Sequence, residues 1–184
     1  MSDFKESPSQ TAGPYVHIGC APQTAGLEQR GMGAPFGHKM IAGVTPGHEM
    51  TLDITVLDGE GAPVKDALIE IWQAGPEGSY APTAQFSNWG RQAADLTTGQ
   101  ARFQTLKPGA LKGQAPHVLV WIAARGINLA LTSRIYFPDE NNASDPFMIA
   151  AGDRAETLVA AKAEPGYTHV IRLQGPKETV FFDV

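Results

Sequence analysis

The segment TLDITVLD, residues 51–58, decides the fold. Leu52, Ile54 and Val56 alternate with Thr51, Asp53 and Thr55. A period of two puts the aliphatic side chains on one face and the polar ones on the other, which describes a half-buried β-strand. DGEGAPV follows as a turn, with Gly59 and Gly61 free to take positive φ. Working outward, ALIEIWQA sets Leu68, Glu70 and Trp72 against Ile69 and Ile71. GQARFQTL is a third strand, closed by a KPG turn at Lys107–Gly109. HVLVWIAA is a fourth and is apolar on both faces; INLALTSRIYF is a fifth with room for a bend. YTHVIRL and TVFFDV close the chain. Short strands separated by Gly/Pro turns predict an all-β fold, an antiparallel β-sandwich. One short helix is expected where Asp153 would cap RAETLVAAK. Residues 1–49, rich in Gly, Pro and Gln, read as a long irregular N-terminal arm, and residues 50–184 as the sandwich domain. A structureless stretch of that length is expected to be functional or disordered.

The totals exclude several classes of function. The 184 residues fit one domain with a sizeable core. A formal net charge of -5 without a Lys/Arg cluster argues against nucleic acid, because phosphate binding needs clustered cations. No apolar run approaches the roughly 20 residues that span a bilayer. The opening MSDFKESPSQ lacks a signal-peptide apolar region, and Cys20 stands alone, so cytoplasm is the expected location. Cys20 reads as a small buried hydrophobe rather than a nucleophile.

Common site motifs are missing: there is no GxGxxG, P-loop, HExxH, GxSxG or CxxC. Five histidines occur, His17, His38, His48, His117 and His169, with no pair at i+2 or i+4. Two histidines at i and i+2 on a strand share a face and reach one metal; here Leu119 takes the second place after His117. His117 at the head of a buried strand therefore reads as a hydrogen-bonded structural residue. Trp72 and Trp121, in apolar strands, read as core, and Trp89, in SNWGR, as free.

Five blocks carry a family resemblance: SPSQTAGPYVHIG (7–19), IEIWQAGPEGSY (69–80), LKPGALKGQAPHV (106–118), ARGINLALTSRIYF (124–137) and the closing ETVFFDV. In this order they resemble the intradiol ring-cleaving dioxygenases over essentially the whole chain, and within them the α type of the two-chain enzymes acting on protocatechuate. The resemblance implies an αβ protomer in a larger oligomer, with both chains built on related β-sandwiches. It implies that Fe(III) is bound by the partner β chain through two tyrosines and two histidines, and that this chain binds no metal. Tyr80 and His117 fall at ligand positions of the β type, whereas Leu111 and Leu119 fall where the second tyrosine and second histidine stand. Tyr80 and His117 are then remnant ligand positions.

The resemblance also implies that this chain walls the substrate pocket through Thr11, Gly13, Pro14 and Tyr15, with Arg125 as the cation near an anionic catechol. Tyr15 is read equally as pocket wall and as interface anchor. Arg134 is a weaker candidate, read as structural. The complex would cleave protocatechuate with O2 to 3-carboxy-cis,cis-muconate, and the chain alone would be inactive. Two alternatives stand beside this reading: a self-sufficient intradiol enzyme acting on catechol or hydroxyquinol, which Leu111 and Leu119 oppose, and a non-enzymatic β-sandwich binding module.

Overall fold

A computed structural model of the chain describes residues 11–27 and 36–183, apart from the side chain of Pro14. The SPSQ opening of the first resemblance block and the terminal Val184 lie outside the described residues. Eight strands form two four-stranded sheets. β1 (Glu49–Leu57), β4 (Gln100–Leu106), β7 (Ala161–Ala163) and β8 (Gly166–Arg172) make one sheet, in the order β4-β1-β8-β7. β2 (Leu68–Gln73), β3 (Trp89–Ala93), β5 (His117–Ala123) and β6 (Leu131–Tyr136) make the other, in the order β3-β2-β5-β6. The second sheet is antiparallel throughout, whereas β1 and β8 run parallel, so the first sheet is mixed.

The core lies between the sheets, where the period-two patterns put it. Leu52, Ile54 and Val56 of β1 meet Ile69 and Ile71 of β2 and Val118, Val120 and Ile122 of β5, all buried. Burying each such aliphatic side chain contributes roughly 1.5–3 kcal/mol. A small polar network also joins the sheets: Thr105 Oγ1 donates to Gln73 Oε1 (2.8 Å), and Gln73 Nε2 donates to the Leu106 carbonyl (2.7 Å). Lys107 closes one end, reaching Asp139 at 2.8 Å and Glu140 at 3.0 Å under the rings of Phe137 and Tyr167. Partial burial opposes the Asp139 charge, but hydrogen bonds from Lys107 and Tyr167 outweigh it and hold the carboxyl down at about 2.

Several local expectations shift. The helix occurs, but Asp145 rather than Asp153 caps it. α2 (Pro146–Ala151) begins at Asp-Pro, with Asp145 accepting from Phe147 N at 2.8 Å. Residues 152–158 continue as a 3-10 turn, and the end of RAETLVAAK enters β7. The arm is less irregular than its composition suggests: residues Pro14–Cys20 form a two-turn helix, α1, with Pro14 at its start. Cys20, expected buried, is half-buried.

β3, read as a loop, is a strand, and TVFFDV is not. The C-terminal segment instead straps across the outer face of β6. Phe182 N donates to the Thr132 carbonyl (2.9 Å), and Ser133 Oγ donates to the Val180 carbonyl (2.7 Å). One main-chain bond to β6, with the other contacts made by the Thr132 and Ser133 hydroxyls, is no continuous ladder, so the alternating pattern gives no strand. Trp72 is nearly half exposed at 47%, on the outer face beside Trp89, which packs against it with ring centroids 6.0 Å apart. The period-two reading had placed Trp72 opposite Ile69 and Ile71; that face turns outward.

His169 is buried on β8, and its Nε2 has no partner among the described residues. Burial lowers its pKa to about 4, against the opposing hydrogen bond with the Val159 backbone. The unfolded chain therefore protonates first. This contribution to stability is complete above roughly pH 6.5 and is lost as pH falls toward about 4, at up to about 1.4 kcal/mol per pH unit. His169→Gln is expected to flatten the unfolding free energy between those limits in urea titrations; an unchanged slope would contradict this assignment.

Candidate functional site

Two surfaces carry the residues that the sequence singles out. The first is the junction of the arm with the loop after β5. Ala124 accepts from Ile127 N at 3.2 Å, and Gly126 has a φ of 89°, the positive value that the third residue of a type II turn requires. Thr11 seats the arm on this turn. Gly126 N donates to Thr11 Oγ1 at 2.7 Å, and Thr11 Oγ1 donates to the Ala124 carbonyl at 3.3 Å. Residues more than 110 positions apart are thereby joined by one hydroxyl.

Gly13 and Arg125 then line one small cavity of about 190 Å³, together with His17 and Asp66. A Cβ on Gly13 would meet nothing within 4 Å, so nothing within this chain requires glycine there. Arg125 is held only loosely, its Nε 3.6 Å from Asp66 Oδ2, and its side chain is 75% exposed. Tyr15 points into solvent, 83% exposed. The Pro14 side chain lies outside the described residues. His17 and Asp66 were not legible as members of this group, because their separations in sequence follow no motif.

The second surface is the outer face of the β3-β2-β5-β6 sheet, where the loops carrying Tyr80 and Leu111 meet. The KPG turn packs backbone to backbone on the GPEGSY loop: Gly109 N donates to the Gly75 carbonyl at 3.0 Å, and a Cβ on Gly109 would stand 2.2 Å from the Pro76 carbonyl oxygen. Only glycine allows that approach. Tyr80 is 39% exposed, and partial burial raises its pKa, opposed by the Arg134 charge. His117 is buried, with Nδ1 2.8 Å from the Ala115 carbonyl and its ring against Tyr136. Burial lowers its pKa, and the hydrogen bond to Ala115 opposes that shift.

Between these residues sits Arg134, read from the sequence as merely structural. It pairs with Leu119 across the β5–β6 ladder and is only 9% exposed. Its Nη1 donates to Gln114 Oε1 at 2.7 Å, and its guanidinium carbon stands 3.3 Å from the Phe147 ring centroid. No carboxylate lies within 4 Å of it among the described residues. Asp145, nearby, already accepts from Tyr136 Oη, Ala115 N and Phe147 N. A ferric ion does not fit this set. Leu111 and Leu119 supply no donor atoms, burial disfavours a Tyr80 phenolate, and Arg134 adds a fixed positive charge.

A family described as Dioxygenase matches residues 30–175. The protocatechuate 3,4-dioxygenase alpha chain of Pseudomonas putida is 39% identical over 97% of this chain and 96% of its own. The chain belongs to the intradiol dioxygenase family. The protocatechuate 3,4-dioxygenase alpha chain of Burkholderia cepacia is 36% identical over the full length of both chains. Among solved structures, the intradiol ring-cleavage dioxygenase from Tetranychus urticae superposes with a TM-score of 0.58 at 16% identity, over 77% of this chain and 89% of that one. That likeness speaks for the fold alone.

A chain carrying Leu111→Tyr and Leu119→His restores four donors, yet Arg134 still opposes a trivalent cation. Ferric titration, followed by the phenolate-to-iron absorption band, is expected to show weak binding that strengthens about tenfold or more when Arg134→Gln is added, since a like charge at short range costs over about 1 kcal/mol. Equal affinity with and without Arg134 would contradict the charge argument.

Proposed function

We propose that this chain is the α subunit of a protocatechuate 3,4-dioxygenase, that it binds no iron, and that it walls the substrate pocket of a β chain holding Fe(III). The complex cleaves protocatechuate with O2 to 3-carboxy-cis,cis-muconate. One observation carries the reading: Thr11 gathers the arm and Arg125 onto one side of the sandwich, where their chemistry faces outward. A pocket wall built this way is open until a second chain closes it. Kinship with proteins named as alpha chains supports the same assembly. So do Tyr15, Phe36 and Trp72, large apolar side chains left exposed on the free chain. No helix among the described residues is long and apolar enough to cross a membrane, and we place the complex in the cytoplasm.

The chemistry that ferric iron supplies is activation of the chelated catechol toward dioxygen. The contributions of this chain are positional and electrostatic. Arg125 presents a guanidinium restrained by a single loose contact with Asp66, free to pair with an incoming carboxylate. The Thr11 hydroxyl fixes the turn that carries Arg125, so the cation and the arm move as one unit. Gly13, with open space where a side chain would stand, leaves backbone free to lie against a flat ring. Pro14 begins α1 and sets the direction of the arm, and Tyr15 extends outward as wall or anchor. Tyr80 and His117 are remnants of a ligand set that this chain no longer uses.

Co-expression with the β chain tests the reading. The complex is expected to consume O2 with protocatechuate, and Arg125→Ala is expected to lower kcat/KM for protocatechuate about 10- to 100-fold, the loss of roughly 1.4–2.8 kcal/mol of ion pairing. Turnover of catechol, which lacks the carboxylate, should change little, and iron per αβ unit should stay constant. Loss of iron in the variant would make Arg125 structural; equal losses for both substrates would overturn its pairing with the carboxylate.

A further inference from the structure

The strongest unused feature of the molecule is the buried charge of Arg134. Burying a guanidinium costs several kcal/mol unless a counter-ion and further hydrogen bonds compensate it. Here one amide oxygen, one aromatic face and the neighbouring Tyr136 hydroxyl do so, and no carboxylate lies within 4 Å among the described residues. Arg134 also lines a cavity of about 320 Å³ on the outer face of the sheet, walled by Trp72, Leu119, Trp121 and Phe182. That volume is at the lower end of small-molecule sites and suits a single ring.

The polar groups of the cavity narrow the ligand further. The hydroxyls of Thr132 and Ser133 are spent on the carbonyls of Phe182 and Val180, so they offer no donor to a polyol or a sugar. Two polar groups remain at opposite ends. Arg134 is the cation on β6. Glu70 on β2 lines the same cavity, with Trp89 Nε1 and Arg91 donating to it at 3.1 and 2.8 Å. The ladder pairs Arg134 with Leu119 and Glu70 with Trp121, so the two stand two strands and two residues apart. Strand geometry makes that diagonal roughly 12 Å between α-carbons. The guanidinium turns toward Gln114 and Phe147 and the Glu70 carboxylate toward Trp89 and Arg91, so both side chains lean away from the gap and leave the length of a para-substituted ring between them. A carboxylate at Glu70 would be repelled, whereas a phenol hydroxyl can donate to it.

The geometry points to a binding site on this chain for a single-ring hydroxybenzoate, with its carboxylate on Arg134, its ring between Trp72 and Trp121, and its para hydroxyl on Glu70. The ligand supplies the counter-charge that the fold omits. Trp72, 47% exposed in the free chain, becomes covered when the ring binds. The site needs no metal and performs no reaction. It gives the outer face a recognition role that replaces ligation.

The test is a count of bound 4-hydroxybenzoate by equilibrium dialysis, on the chain co-purified with its β partner and compared with Arg134→Gln and Leu119→Trp. The first variant removes the charge; the second fills the cavity and leaves the charge in place. Wild type should bind one equivalent more per copy of this chain than either variant, with thermal midpoints of the variants retained. The difference is the readout, so an equivalent held by the partner cancels. Ring-cleavage activity, measured separately, judges the dioxygenase reading. Benzoate should bind at least about tenfold more weakly than 4-hydroxybenzoate, and phenol more weakly still. The same number of equivalents in wild type and both variants would overturn the proposal. So would binding that survives Arg134→Gln, or phenol binding as tightly as 4-hydroxybenzoate. If Arg134→Gln fails to fold, Leu119→Trp and the ligand series decide the question in the same way.

Discussion

A guanidinium buried on one face of a sheet, with no carboxylate within 4 Å among the described residues, constrains everything around it. Arg134 is received by the amide of Gln114, the ring of Phe147 and the Tyr136 hydroxyl. Asp145, the buried acid nearby among the described residues, is committed to capping α2 and to holding Tyr136 and the Ala115 backbone. The helix cap, the C-terminal strap and the His117–Tyr136 pair are thus arranged around a cation that they do not neutralise. In that setting Tyr80 is held toward its neutral phenol by burial, and His117 turns its Nδ1 to its own backbone. Ligation of a highly charged metal is unfavourable there on electrostatic grounds, before any count of donors.

The opposite edge of the molecule is built on a different economy of contacts. One hydroxyl, that of Thr11, satisfies a turn amide and a strand-end carbonyl, and it holds the arm where Arg125 emerges. Little else fixes Arg125. A cation with a single loose partner and a largely exposed side chain suits a surface completed by another molecule, because desolvation by that molecule strengthens the pairing it then makes. The two arginines therefore differ in kind: Arg125 is largely solvated with one loose side-chain contact, and Arg134 is nearly dry.

The sequence carried most of the fold. Period-two alternation placed β1 and β2, and short apolar runs between Gly/Pro turns placed β4, β5, β6 and β8. It failed for β3, where Gly90 interrupts the apolar pattern, and for TVFFDV, whose alternation reflects a strap lying on a sheet rather than a strand within one. Trp72 read as core because its strand is apolar, yet the side that carries Glu70 turns outward with it. Asp153 was expected to cap the helix, but Asp145, followed by a proline suited to the first helical position, does so. The grouping of Thr11 with the Arg125 turn was visible only through the resemblance. His17 and Asp66 join them by tertiary contact alone. The burial of Arg134 was hidden for the same reason, since it is a property of three-dimensional surroundings.

Iron content tests the central claim most directly. The chain and its β partner, purified separately and together, are analysed for metal by plasma mass spectrometry and for protocatechuate-dependent O2 uptake. The account predicts that iron follows the β chain, with one ion per αβ unit and background levels in this chain alone, and that O2 uptake requires both chains. Stoichiometric iron and ring cleavage in this chain by itself would contradict it.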